Sequence, residues 1–237
     1  MQENFLSKMR ALVFDAGPII SLTMNNLLWV LPKLKERFDG EFYITSAVKN
    51  EIIDFPLTTK KYKFEAIQVM ELLNSGTLKV IDNDFIRDNT PLMLETANSI
   101  FRAHEHYISI LHYAEVSVIS ATSSLNADVM AIDEKTTRLL IEDHQKLKYI
   151  LTKTLHTNIY INADNLNRFK EFVGGIKIIR SVEVITRAYE LGILNRYITN
   201  YPNSSKQLIE AVLWGAKLDG CAVSENEIRQ IIKLEAK

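Results

Sequence analysis

Arg10-Ala-Leu-Val-Phe-Asp15-Ala-Gly-Pro18-Ile-Ile-Ser21-Leu22 is the stretch from which the rest of the chain can be read. Residues Arg10 to Phe14 form a short, mostly apolar run that stops at Asp15-Ala-Gly-Pro18, the pattern of a buried strand closed by a turn. Pro18 suits the first turn of a helix, where a missing N–H costs nothing, and IISLTMNNLLWVL carries that helix onward. A buried strand running straight into a helix is the opening of an α/β unit.

Working outward, the same alternation returns. Phe42 to Thr45 read as a second strand, with Ser46 capping the helix AVKNEIIDF, which is expected to stop before Pro56. Lys61 to Leu73 have helical spacing and end at Asn74-Ser75-Gly76. Leu78 to Ile81 give a third strand, Asp128 to Ile132 a fourth and Asn158 to Ile161 a possible fifth. Pro91 to Arg102, His112 to Leu125, Glu134 to Glu142 and Lys146 to Leu155 read as helices. Short apolar strands alternating with helices of ten or more residues predict a three-layer α/β fold, with four to five parallel strands between helical layers. After residue 162 the pattern becomes helical: Val182 to Leu194, Lys206 to Leu218, and a last helix opened by the capping box Ser224-Glu225-Asn226-Glu227. The expected organisation is a domain over residues 1–162 and a helical extension over 163–237, packed on that domain or on a second subunit.

Composition narrows the function classes. A net charge of −1 gives no overall attraction to a polyanion, so any nucleic-acid binding has to be local or through metal. One cysteine, Cys221, leaves no internal disulfide and suits a reducing compartment. The opening MQENFLSKMRALVFDAG lacks the pattern of a secretory leader, and no run approaches the ~20 apolar residues that cross a bilayer. A cytoplasmic protein without membrane contact is expected.

Four acids fall where an α/β sheet collects ligands. Asp15 and Asp133 end the first and fourth strands, and ligands of open parallel sheets bind beyond those carboxyl ends, where strand order reverses. Glu51 lies about a turn and a half into the helix after the second strand. Glu115 begins the helix before the fourth, beside the expected sheet-facing stripe Ala114, Val118, Ala121 and Leu125. Singly, each has a plain structural reading as a turn former, cap or solvated helix residue. Together they describe an acidic crevice. Glu134 is assigned to the helix surface.

With these motifs in place the chain resembles the PIN domain family, a family of nucleases. Leu12 to Leu22 is similar to the opening motif of microbial members, including longer, archaeal-type ones, which read close to D-A-G-P-L-I-S-L. Ile44-Thr-Ser-Ala-Val-Lys-Asn-Glu51-Ile resembles the second motif, His112-Tyr-Ala-Glu115-Val-Ser-Val-Ile-Ser-Ala121 the third, and Asp128-Val-Met-Ala-Ile-Asp133-Glu-Lys-Thr-Thr-Arg138 the fourth. The resemblance covers residues 9–160. It implies a PIN-like fold and divalent-metal-dependent hydrolysis of RNA, probed most directly with single strands. Asp15, Glu51, Glu115 and Asp133 are then the catalytic acids and the ligands of Mg²⁺ or Mn²⁺, hard cations that prefer carboxylate oxygen. Ser21 and Arg138 are candidate substrate contacts; for Arg138 the alternative is an ion pair with Glu134 or Glu142, each four residues away. A homo-oligomer and an antitoxin-like partner come with the family, although 237 residues exceed the length of its small toxins. Residues 83–110 are longer than a compact member needs and receive no role.

Other readings fit the sequence less well. A PIN-like scaffold that binds RNA or a protein without cutting would be expected to have lost carboxylates. A receiver-like protein would carry paired acids straight after its first strand. Nucleotide-binding enzymes need a glycine-rich phosphate loop, which is absent. His104, His106 and His112 lack the spacing of a zinc site, and Lys60, Lys61 and Lys63 read as solvated surface.

Overall fold

A computed structural model describes residues 10–127 and 129–235. Asp128, read above as the first residue of the fourth strand, the opening residues 1–9 and residues 236–237 lie outside the described residues.

Along the chain, β1 (Ala11–Phe14) is followed by α1 (Ala16–Met24), α2 (Val30–Phe38), β2 (Glu41–Thr45), α3 (Ser46–Lys49), α4 (Phe55–Thr58), α5 (Lys63–Asn74) and β3 (Leu78–Ile81). Next come α6 (Asp84–Asn98), β4 (Phe101–Ala103), β5 (His106–Tyr107), α7 (Tyr113–Ser124), β6 (Val129–Ala131), α8 (Lys135–Glu142) and α9 (His144–Leu155). The last part holds β7 (Ile159–Ile161), α10 (Ala163–Val173), β8 (Lys177–Ile179), α11 (Ser181–Glu190), α12 (Ser204–Leu218) and α13 (Glu225–Glu235).

Every residue of β1 is buried, as a continuous apolar run requires of a strand covered on both faces. It lies at the centre of a five-stranded parallel sheet ordered β3-β2-β1-β6-β8. The chain builds outward from β1 to β3 on one side, then returns to build β6 and β8 on the other. The reversal therefore falls between β1 and β6, with Val13 opposite Met130 and Phe14 opposite Ala131. Helices cover both faces, as the alternation of elements predicts. Packed on one face, α7 meets β1, β2 and β6. On the other, α2 and α11 stand over Leu12, Phe14 and Phe42. Among the described residues no helix is long and apolar enough to cross a membrane.

Several expectations need correction. Ile159–Ile161 does not join the main sheet; β7 pairs antiparallel with β4 in a separate three-stranded sheet, β5-β4-β7. The fifth parallel strand is Lys177–Ile179, hidden in a segment read as the start of a helical tail. The boundary at 162 thus does not divide the sheet, since later residues supply its edge. A three-residue strand carries too little periodicity to announce itself.

The helix expected over Pro91 to Arg102 instead runs from Asp84 to Asn98, with Pro91 inside it, and the side chain of Asn83 accepts from Ile86 N–H at 3.0 Å to cap it. Residues 83–110 thereby gain a role. With α10, α6 covers the outer side of α7, so Val116 to Thr122 are buried all round rather than along one stripe. Asn98 ties the segment down: its Oδ1 accepts from the N–H groups of Ile110 and Leu111 at 2.8 and 2.9 Å.

Pro56 does not end the second helical segment. Residues Asn50–Asp54 form a widened π-helical turn immediately before it, and the chain stays helical to Thr58. The wider turn makes room for the ring that would clash in a regular helix. The cap of this segment is Thr45 rather than Ser46, its hydroxyl accepting from Val48 N–H at 3.2 Å.

Candidate functional site

Parallel strands bring their carboxyl ends to one edge, and the edge beyond β1 and β6 is acidic. Asp15 follows β1 directly, its N–H donating to the Ala131 carbonyl at 2.9 Å. Asp133 lies two residues beyond β6 and is fixed from three sides. Its Oδ2 accepts from Ser21 Oγ at 2.8 Å and its Oδ1 from Ser181 N–H at 2.7 Å, while its own carbonyl accepts from Ala222 N–H at 3.1 Å. The first contact comes from α1, the second from the start of α11, and the third from the chain after α12. Gly17 is needed where α1 crosses: a Cβ there would stand 3.0 Å from the Cβ of Asp133. Ser21, expected as a substrate contact, is buried and its hydroxyl is spent on positioning Asp133.

Glu115 opens α7, where Oε2 accepts from His112 N–H at 2.8 Å. Glu51, carried by the π-helical turn, is exposed. These four acids line one pocket of about 450 Å³, together with Ser21 and the backbone at Ala16 and Gly17. Glu134 and Asp219 line it too, so six carboxylates surround one cavity, with His112 and, among the described residues, no lysine or arginine. The surface assignment of Glu134 is therefore corrected: its Oε2 accepts from Thr137 N–H at 2.7 Å and caps α8 from inside the pocket. Adjacency to Asp133 was the signal for it. Asp219, at the end of α12, had no local signal. Its Oδ2 accepts from Asn25 Nδ2 at 2.7 Å, tying the C-terminal region to α1.

Negative charge gathered without a cation shows in the acids themselves. Burial is the main cause pushing the Asp15 carboxyl up to about 7; the charges of Glu115 and Glu51 add to it, against N–H groups of Ala16 and Gly17. Glu115 is also raised to about 7, again chiefly by burial, with Glu134 and Glu51 adding and the His112 N–H opposing. Burial, with the Asp133 charge adding to it, pushes the Cys221 thiol up to about 12.

Carboxylate and hydroxyl oxygens around an uncompensated negative pocket are the donor set of a hard divalent cation. Among the described residues, however, no three His, Cys, Asp or Glu side chains converge to hold an ion as they stand. Charge and donor type fit such an ion; closing on it would need side-chain rotation, for which the exposed Glu51 has room. Arg138 is not among the pocket's lining residues. It pairs with Glu142 at 3.2 Å, one of the two partners its helical spacing offered. A larger cavity of about 560 Å³ between α2 and α11 is walled by Leu12, Phe14 and Phe42, and its one acid, Glu183, is held by Arg180 at 2.6 Å. The smaller pocket is the acidic one.

Compared with known proteins, the chain matches no family model, no curated protein and no solved structure.

Proposed function

We propose that this chain is a PIN-like, divalent-metal-dependent endoribonuclease. The observation that carries the reading is the joining of Asp15, Glu51, Glu115 and Asp133 in one pocket at the carboxyl edge of the sheet, beside the reversal of strand order, with no basic side chain among them. The resemblance to PIN domains rests on the same four acids in the same order.

In this reading Asp15, Glu51, Glu115 and Asp133 would hold Mg²⁺ or Mn²⁺, which when bound supplies an activated water and charge stabilisation at the phosphate. The chain's own groups set the stage. Ser21 and the Ser181 N–H fix Asp133, so one acid is oriented before anything binds. Without metal, burial holds the Asp15 carboxyl up at about 7, so a cation that binds there would displace its proton. Glu51 and His112, both exposed, stand where a phosphate chain would enter.

One observation favours the second reading, a PIN-like scaffold that binds RNA or a protein without cutting: among the described residues no three acids converge as placed. Substitution separates the two. Asp15→Asn and Glu115→Gln should each lower Mn²⁺-dependent cleavage of single-stranded RNA on the order of 10²-fold or more. Glu71→Gln, an exposed acid on α5 outside the pocket, should change little. Because Glu134 lines the pocket, it belongs with the active group rather than with the controls. Wild-type protein that cuts no RNA with either metal would establish the scaffold reading instead.

A further inference from the structure

From the mouth of the acidic pocket a second groove of about 320 Å³ leads away, sharing Ile20, Glu51 and Asp219 with it. Its floor is apolar, with Ile19, Ile52 and Val69 buried beneath, and Ile20 and Met24 stay about two-fifths exposed along it. Tyr62 lines the far side.

Tyr62 is unusual in three respects. It sits just before α5 at φ +63°, a left-handed conformation that a bulky side chain rarely adopts. It is 46% exposed although an apolar groove lies beside it. The Lys61 ammonium stands 4.4 Å from its ring centroid. Lys60 and Lys63 flank the pair, both exposed, and none of the three lysines has a carboxylate partner among the described residues. Phe55 and Phe64, at 64% and 67% exposure, carry the aromatic surface onward. A left-handed backbone at a bulky residue costs free energy, and such positions cluster at ligand clamps.

We infer that Tyr62 with Lys60, Lys61 and Lys63 forms a binding platform for single-stranded RNA, the ring stacking on a base in the groove while the lysines take the flanking phosphates. Stacking tolerates any base, and lysines track the backbone, which is how single strands are held without sequence preference. Glu65, Glu51 and Asp219 also line the groove, so phosphates lie on the lysine side and the base on the apolar floor. A polymer seated there leads directly past Glu51 into the acidic pocket. This inference rests on the nuclease reading for its choice of polymer, and the two are separable by experiment.

Binding of a fluorescein-labelled single-stranded RNA 12-mer to the full chain, followed by anisotropy in EDTA, reads the platform without cleavage. Tyr62→Ala should weaken binding about 10-fold and Tyr62→Phe should keep it. Replacing the three lysines by glutamine should lower affinity and flatten its salt dependence. Tyr62→Gly relieves the backbone strain, so it should lose RNA affinity without a lower melting temperature; a merely structural tyrosine would give the reverse. Mn²⁺-dependent hydrolysis of bis(p-nitrophenyl) phosphate by the wild type, a substrate too small to span the groove, reads the carboxylates alone. RNA affinity indifferent to Tyr62→Ala, with hydrolysis intact, overturns the platform and spares the nuclease. Tyr62-dependent RNA binding with no hydrolysis in the wild type supports the platform and removes the nuclease.

Discussion

The acidic pocket should make the metal-free protein less stable as pH rises through neutrality, and Asp15 lets the effect be worked out. Its carboxyl stands at about 7 in the folded chain against an ordinary 3.8, so the folded form keeps its proton where the unfolded form has already lost it. A raised acid therefore contributes stability that is lost as pH rises, from about 4 to about 7. Roughly 3 units amount to about 4 kcal/mol over the whole range. Roughly a third of that is already lost at pH 5, leaving about 2–3 kcal/mol to be lost between pH 5 and pH 8. At 5% exposure little solvent screening reduces the figure. Glu115 acts in the same direction, more weakly because it is only partly buried.

Urea unfolding in EDTA at pH 5, 6, 7 and 8 measures the slope for the wild type and for Asp15→Asn. Other titrating groups, such as His144, whose pKa burial lowers, cancel in the comparison. The variant should gain about 2 kcal/mol on the wild type across that window. Mn²⁺ at a hundred times its dissociation constant should restore about 2.7 kcal/mol to the wild type at pH 8, and less to the variant. Parallel lines for the two proteins, with no response to Mn²⁺, would refute the crowded-acid account.

Two further outcomes follow from the packing. Truncation after residue 162 removes β8 and the Ser181 N–H that fixes Asp133, so the shortened chain should be insoluble or unfolded by circular dichroism, not a stable domain. Arg180→Met should cost roughly 2–3 kcal/mol in urea unfolding, between the surface and buried limits for ion pairs, because Arg180 holds Glu183, Glu227 and the Ala222 carbonyl together. Despite the upward push of burial, Ser224 and Arg180 hold Glu227 at about 2, so the wild type should lose this contribution only as pH falls from about 4.5 towards 2, and the variant should show less of that acid loss.

How much of the site could be read from the chain depended on whether each position was decided locally. Asp15 and Asp133 end apolar runs, and a strand's end is fixed by its own sequence. Their meeting follows from the rule that neighbouring parallel strands place their carboxyl ends together. The Ser224 box formed as read, with Ser224 Oγ accepting from Glu227 N–H at 3.2 Å and Glu227 Oε2 from Ser224 N–H at 2.8 Å, because capping involves only four consecutive residues. Asp219 and β8 were different in kind. Lys177–Ile179 becomes a strand because the open edge of β6 offers Val129 to Ala131 as partners, and nothing in three residues announces that edge. Asp219 reaches the pocket because α12 packs against α1 and Asn25 holds its carboxylate. A helix-surface position for Glu134 fails because the residue before a helix follows the turn's geometry and not the helix's faces. The acids found from sequence are those that local rules position; the pocket is closed by residues that only tertiary contact brings there.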